Sequence, residues 1–294
     1  MRIFSFLIGM ILLVGQVEAR EIRLRPFKDD LFQYPRILKE SADGSFVTVE
    51  YNRTRDLVKR DRVLRWKAHY KYVDQGVRWS RGVSSYRSPN GKFKFFAVGK
   101  PDRKTAVSVI YVHGKGGNRR QGVNDWTFGG NFNRLQNLMT RNNGALYTPD
   151  FTDFKDRGAQ DVAALIKTVR RQSPNAKLIV ACGSMGGGVC WRLAKRTETA
   201  AQIDGLFLLG SHWHDDFLKS RVLRKSTRNI PVYIGHGSKD TVFKPEVQLG
   251  FYKKIRAKNP KYPIRFVMFE TGAHGTPIRM VDWRRELNWM LSLR

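Results

Sequence analysis

The chain has 294 residues, of which 41% are hydrophobic and 12% are aromatic, so it can bury a large core and is not disordered throughout. Lys and Arg outnumber Asp and Glu by 54 to 25, which gives a formal net charge of +29. This charge favours an anionic partner such as a cell-envelope component, but no DNA- or RNA-binding motif accompanies it, so no specific nucleic-acid partner is expected. The alternative is a basic surface with no specific partner.

The N-terminus has the pattern of a secretory signal peptide. A basic start precedes an almost wholly apolar stretch at residues 3–17, and the small residues Val17 and Ala19 follow in a cleavage pattern. The apolar stretch is short for a membrane span, so we interpret residues 1–19 as a cleaved signal rather than an uncleaved anchor. The protein is then expected in the periplasm or outside the cell, with residues 20–294 as one domain and no transmembrane span.

The chain has only two cysteines, Cys182 and Cys190. An oxidising compartment favours disulfides. However, one cysteine ends a predicted strand and the other lies about two turns into the following helix, and a disulfide needs Cα atoms within about 7 Å. This geometry predicts two buried free thiols.

The predicted elements change in character at about residue 106. Alternating apolar and polar residues at 46–51, 64–73 and 92–98 predict antiparallel strands joined by short turns. Beyond residue 106, predicted strands alternate with predicted helices, which indicates parallel βαβ units. The strands are at 107–112, 145–148, 178–182, 205–210, 230–235 and 264–269, and helices lie near 132–141, 156–171, 245–257 and 279–292.

The predicted fold class is therefore α/β. The central sheet is mostly parallel with antiparallel N-terminal strands, and helices cover both faces. The segment between residues 210 and 230 is too short for a large lid, so an open, shallow site is expected.

The strand at 178–182 runs directly into the sequence Cys182-Gly183-Ser184-Met185-Gly186. Small residues around a serine between a strand and a helix are typical of a nucleophile elbow, in which the serine side chain is exposed at a sharp turn. The usual first glycine of G-x-S-x-G is replaced by Cys182. The alternative is a glycine-rich turn that only packs a helix closely against a strand.

Three further polar groups follow other strands. The loop beginning His113-Gly114 follows the strand at 107–112, Asp240 follows the strand at 230–235, and His274 follows the last strand. Functional groups of open α/β sheets gather at the carboxyl ends of the strands. The order Ser184, Asp240, His274 behind a glycine-containing loop resembles the α/β-hydrolase superfamily over about residues 94–292.

The resemblance implies a role for each residue. Ser184 would be the nucleophile, His274 the general base and Asp240 the group that orients the imidazole. The backbone N–H groups of Met185 and Lys115 would form the oxyanion hole. Substrate-lining candidates are His113, Gly116, His212, Trp213, Trp126 and the Lys115 side chain.

Two other interpretations of these loops are weaker. A dinucleotide site at residues 114–119 lacks the third glycine of its motif, because Arg119 stands there. His212, His214, Asp215 and Asp216 could hold zinc, but no distant third ligand set is evident. We therefore expect no cofactor and no metal.

The sequence thus predicts an exported serine hydrolase that cleaves an ester or a related acyl bond in a small or polymeric substrate. Two alternatives stay open. A peptidase or amidase would use the same triad, and a non-catalytic protein could use the fold to bind polyanions.

Overall fold

The computed structural model describes residues 22–225 and 229–293, so the predicted signal peptide at residues 1–19 lies outside the described residues. The strands of the described part are β1 (Ile37–Glu40), β2 (Phe46–Glu50), β3 (Asp61–Val63), β4 (Lys67–Ala68), β5 (Arg81–Ser88), β6 (Gly91–Val98), β7 (Val107–Val112), β8 (Gly144–Pro149), β9 (Lys177–Gly183), β10 (Gly205–Leu209), β11 (Val232–Gly237) and β12 (Ile264–Glu270).

The α-helices of the described part alternate with the later strands. They are α1 (Asp29–Phe32), α2 (Asn131–Arg141), α3 (Asp156–Gln172), α4 (Gly187–Lys195), α5 (Thr197–Ala200), α6 (Arg221–Lys225), α7 (Pro245–Lys258), α8 (Thr276–Met280) and α9 (Trp283–Ser292). None of the helices in the described ranges is long and apolar enough to cross a membrane.

Ten strands form one sheet in the order β1-β2-β12-β11-β10-β9-β7-β8-β6-β5. The seven strands from β2 to β8 in this order are mutually parallel, whereas β1, β6 and β5 pair antiparallel at the two edges. Every residue of β7 and β8 is buried, as expected for parallel strands covered on both faces. The predicted fold class is confirmed.

Helices pack on both faces of this sheet. Alternate residues of β7 enter opposite cores: Ile110 and Val112 join the core beneath α3, α4 and α7, while Val109 and Tyr111 join the core beneath α2 and α9. This alternation is the two-residue period of a strand. The loops at the carboxyl ends of β7, β9, β11 and β12 therefore lie along one edge of a rigid sheet.

The prediction of a strand at 64–73 is wrong. The segment 61–68 forms the short hairpin β3–β4, and residues Tyr70–Tyr72 form a 3₁₀-helix. Alternation predicts a strand only where one face is buried, but Val63, Leu64 and Trp66 are all exposed here. The edge strands β1 and β5 were missed because most of their residues are exposed.

The helix predicted at 279–292 is interrupted. It is divided into α8 and α9 at Val281 and Asp282, and the Asp282 carboxylate accepts a hydrogen bond from the backbone N–H of Arg285 at 3.3 Å. Asp282 therefore acts as the N-cap of a new helix.

The prediction of two free thiols is wrong. Cys182 and Cys190 form a disulfide, with their Cα atoms 6.2 Å apart. The turn at Ser184–Gly186 takes up three residues, so Cys190 lies in the first turn of α4, close to the end of β9. Both residues are fully buried. Cys190 therefore lies about one turn nearer to the start of the helix than the sequence pattern predicted.

Candidate active site

Ser184 lies at the turn between β9 and α4 in a conformation that few residues adopt. Its φ angle is 51°, in the left-handed region. The turn is packed so closely that a Cβ at Gly186 would come within 2.8 Å of the carbonyl oxygens of Val112 and His113. The Ser184 carbonyl accepts a hydrogen bond from the backbone N–H of His212 at 3.0 Å. These contacts hold the serine in its strained conformation at the end of the strand.

Three of the predicted residues form a continuous chain of hydrogen bonds. His274 Nε2 lies 2.9 Å from Ser184 Oγ, and His274 Nδ1 lies 2.8 Å from Asp240 Oδ2. Each residue comes from the loop after a different strand: β9, β11 or β12. Because the carboxylate can only accept, the imidazole proton resides on Nδ1 and Nε2 is free to accept from the serine hydroxyl.

Asp240 is held as a buried carboxylate. Its Oδ1 accepts hydrogen bonds from the backbone N–H groups of Val242 at 2.8 Å and Phe243 at 3.0 Å. Burial alone would raise the pKa of Asp240, but the hydrogen bonds from His274 and from these two N–H groups outweigh it, so the pKa lies below its usual value. Asp240 is therefore ionised and fixed in orientation.

His236 contacts the loop that carries Asp240 and stabilises it. It is fully buried, its Nε2 donates to the Phe243 carbonyl at 2.8 Å, and the same nitrogen lies 3.4 Å from Asp240 Oδ2. Burial lowers the pKa of His236, and the hydrogen bond to Phe243 opposes this only in part. Neutral His236 thus joins the end of β11 to Phe243 on the other side of Asp240, and this bond stabilises the loop that carries Asp240.

The loop after β7 lies directly beside the serine. A Cβ on Gly114 would come within 2.8 Å of the Ser184 Cβ, so only glycine fits at this position. Lys115 follows, and its backbone N–H has no hydrogen-bond acceptor within the described ranges. Met185 is the second residue of the 3₁₀ turn Ser184–Gly186, where a backbone N–H has no acceptor within the turn. Met185 directly follows Ser184 in the sequence, and Lys115 directly follows the glycine that lies against Ser184.

Aromatic side chains lie beside the triad, and one of them, Phe243, was not among the predicted lining residues. The Phe243 ring contacts the His274 ring at a centroid distance of 5.5 Å, the His212 ring at 5.6 Å and the Trp213 ring at 6.5 Å. Phe243 stands three residues after Asp240, so its position in the same loop after β11 was the available signal that it lies near the site. His212, Trp213 and Phe243 form what we call the aromatic wall.

The other lining candidates have different surroundings. His113 is only 7% exposed and stacks on Phe151 at 4.5 Å, which favours a packing role. Gly116 is exposed, with a φ angle of 75°. Trp126 packs against Tyr70 at 5.4 Å, on the side of the β3–β4 hairpin.

The residues considered for zinc are not assembled into a site. His214 Nδ1 lies 3.7 Å from Asp216, whereas His212 belongs to the aromatic wall. Across the described part of the chain, no three His, Cys, Asp or Glu residues are grouped so that they could hold a metal ion.

Several solved structures share this fold. An esterase from Pyrococcus furiosus matches with a TM-score of 0.54 and 16% identity, covering 74% of this chain and 93% of its own. A serine hydrolase homologue from Coxiella burnetii gives a TM-score of 0.53 and 16% identity, with coverages of 72% and 97%. The feruloyl esterase module of Clostridium thermocellum, complexed with sinapinate, gives 0.58 and 14%, with coverages of 78% and 94%.

Sequence comparison identifies the family. No curated protein matches the chain significantly. The model of the dienelactone hydrolase family, however, matches residues 120–277, more than half of the chain and a stretch that contains Ser184, Asp240 and His274. The chain therefore belongs to the dienelactone hydrolase family and is a carboxylic-ester-hydrolase-like enzyme with the α/β-hydrolase fold.

Proposed function

We propose that the protein is a secreted or periplasmic serine hydrolase that cleaves an ester, or a related acyl bond, through an acyl-enzyme on Ser184. The observation that carries this proposal is the unbroken chain of hydrogen bonds from Asp240 through His274 to Ser184. A protein that only binds polyanions does not need such a chain of hydrogen bonds, so the chain favours catalysis over that alternative.

The reaction follows from the position of each group. His274 Nε2 takes the hydroxyl proton as Ser184 Oγ attacks the carbonyl carbon, and Asp240 stabilises the imidazolium that forms. The unpaired N–H groups of Lys115 and Met185 are available to stabilise the oxyanion of the tetrahedral intermediate. His274 then returns the proton to the leaving alcohol, and the acyl-enzyme remains.

Water completes the cycle by the same route. His274 takes a proton from the water molecule that attacks the acyl carbon, and returns it to Ser184 Oγ as the acid is released. An amide would pass through the same steps, so the chemistry of the triad does not select the leaving group.

The aromatic wall indicates what kind of substrate the site favours. The Phe243 ring lies against His274, and the rings of His212 and Trp213 continue the wall beyond Phe243. Burial lowers the pKa of His212, with a further contribution from His214. A neutral, aromatic surface gains free energy by covering apolar groups. We infer a small-molecule ester with an apolar group on the side of Phe243.

Export is supported by the disulfide as well as by the signal pattern. Disulfides persist in oxidising compartments and are rare in the cytosol. The bond between Cys182 and Cys190 joins the strand and the helix on either side of Ser184, so it stabilises the turn on which catalysis depends.

A serine-to-alanine pair of variants tests the proposal. Ser184→Ala is expected to lower the hydrolysis of p-nitrophenyl esters by more than about 10⁴-fold, and to abolish labelling by a fluorophosphonate probe. Ser85→Ala is the matched control, because Ser85 is exposed on the edge strand β5. A Ser184→Ala protein that keeps wild-type turnover, or a wild type that takes no label, would contradict the proposal.

A further inference from the structure

The tip of the β3–β4 hairpin, residues 62–66, has a surface that folding does not explain. Val63 is 50% exposed, Leu64 45% and Trp66 74%. Three of the four consecutive positions 63–66 thus place apolar side chains in water, where a soluble protein normally places polar ones. Exposed apolar groups clustered in this way mark contact sites for partners. We propose that this tip docks the protein on anionic lipid bilayers.

The tip is a preformed structure. Arg65 has a φ angle of 66°, and its backbone N–H donates to the carboxylate of Asp61 at 2.7 Å. The backbone N–H of Trp66 donates to the Val63 carbonyl at 2.9 Å. These bonds close the turn and hold Leu64 and Trp66 outward. Little conformational entropy is therefore lost when a partner covers this surface.

The charges around the tip select the sign of the partner. The basic residues Lys59, Arg62, Arg65 and Lys71 are all exposed. Asp61 is the single acidic residue between positions 57 and 73, and it points inward, paired with Arg279 at 2.7 Å. The exposed charged residues of the segment 57–73 are therefore all basic, and they attract an anionic surface.

The aliphatic residues decide between a lipid surface and a soluble polyanion. A polysaccharide or nucleic acid offers stacking and charge contacts, which would use Trp66, Tyr70 and the arginines but not Val63 and Leu64. A bilayer uses all of them: aliphatic side chains enter the acyl boundary, Trp and Tyr lie at the headgroups, and Lys and Arg reach phosphates. Tyr70 accepts a hydrogen bond from Arg62 at 2.9 Å, which joins the two kinds of residue.

The hairpin is fastened to the part of the protein that carries the candidate catalytic histidine. The Asp61–Arg279 pair joins the hairpin base to α8, which begins two residues after His274. Arg60 donates to the Gly129 carbonyl at 2.9 Å, and the neighbouring Phe128 ring lies 3.5 Å from where a Cβ on Gly275 would stand. Docking at the tip would therefore hold the His274 side of the sheet edge near the bilayer.

Vesicle co-sedimentation tests this inference independently of catalysis, because Ser184→Ala protein can be used throughout. The probes are vesicles of phosphatidylcholine with and without phosphatidylglycerol. We expect binding only with phosphatidylglycerol. Two tip variants, Leu64→Ser/Trp66→Ser and Arg62→Glu/Arg65→Glu, are each expected to weaken it by about tenfold or more.

Matched controls lie on α7, which packs on the sheet face opposite to α2 and α9. Val247→Ser and Lys253→Glu/Lys254→Glu change exposed residues of the same kinds and are expected to bind like the wild type. Circular dichroism is used to check that each variant is folded.

Three outcomes would overturn the inference. The first is that both tip variants bind the vesicles as well as the wild type does, and the second is that the wild type binds equally well to vesicles without phosphatidylglycerol. The third is that only Arg62→Glu/Arg65→Glu binds the vesicles more weakly and that this variant also loses binding to heparin. The last result would identify a polyanion site instead.

Discussion

The edge of the sheet around Ser184 and the tip of the β3–β4 hairpin place polar and apolar groups in opposite ways. At the sheet edge, the Asp240 carboxylate and His236 are buried, and each makes hydrogen bonds that fix the loop. At the tip, apolar side chains are exposed and the carboxylate of Asp61 is turned inward. Buried polar groups with partners position chemistry, whereas exposed apolar groups without partners indicate a surface to be covered.

The largest expected effect is on ester hydrolysis, which should depend on the sheet edge and not on the hairpin tip. Asp240→Asn keeps the size of the side chain but removes the charge that orients and stabilises the imidazole, so kcat for a p-nitrophenyl ester should fall by about 10³–10⁴-fold. Leu64→Ser/Trp66→Ser should leave hydrolysis of the same soluble ester unchanged. Steady-state kinetics measures both. An active Asp240→Asn enzyme would exclude the proposed triad.

The next effect concerns the ion pair that joins the two regions. Asp61→Ala leaves the guanidinium of Arg279 buried without its partner, and we expect a loss of about 3–5 kcal/mol in the free energy of unfolding. Urea denaturation measures this loss. The exposed pair of Arg196 and Asp156 provides the control, because Arg196→Ala should cost about 1 kcal/mol or less. Equal losses in the two variants would contradict the structural importance of the buried pair.

Sequence patterns predicted the sheet edge far better than the hairpin. The alternation of buried strands and helices after residue 106 placed Ser184, Asp240 and His274 on separate strand ends, because parallel strands must bring those ends to one edge. No such constraint acts on the segment 61–73, whose alternation has no buried face. The role of Asp61 was not predictable, because its partner Arg279 is 218 positions away.

The disulfide gives a smaller effect, located at the serine turn. Removing it with Cys182→Ala/Cys190→Ala should lower the free energy of unfolding by about 2–3 kcal/mol, since the bond closes a short loop. Alkylation without reductant, followed by mass spectrometry, should add nothing to the denatured wild type and two groups after reduction. Two groups added without reductant would show that the thiols are free.

The smallest effect is a change in pH dependence at the base of the Asp240 loop. The folded pKa of His236 lies below the unfolded value of about 6.5, so the unfolded chain gains a proton first as the pH falls. The stability that His236 contributes is therefore present above pH 6.5 and is lost toward lower pH.

His236→Gln keeps a donor for the Phe243 carbonyl but does not titrate. Its free energy of unfolding should fall less steeply than that of the wild type between pH 7 and pH 5, by up to about 1.4 kcal/mol per pH unit. Denaturation curves across this range measure the two slopes. Identical slopes would show that His236 is not the buried, neutral group described above.

The site also shows where sequence analysis fails at short range. Asp240 and Phe243 belong to one loop, yet only Asp240 was predicted, because an aromatic residue carries no chemical signature until its neighbours are known. The disulfide failed for a related reason. The 3₁₀ turn at Ser184–Gly186 shifts the start of α4, and a shift of one turn decides whether Cys190 reaches Cys182.

The most direct test of the central claim is the location of the covalent adduct. The wild type is treated with a fluorophosphonate, digested, and analysed by tandem mass spectrometry. We predict one adduct, on the peptide that contains Ser184, and no adduct on that peptide in the His274→Ala variant, because the hydroxyl then has no base. An adduct on another serine, or equal labelling of Ser184 without His274, would contradict the assignment of Ser184 as the activated nucleophile.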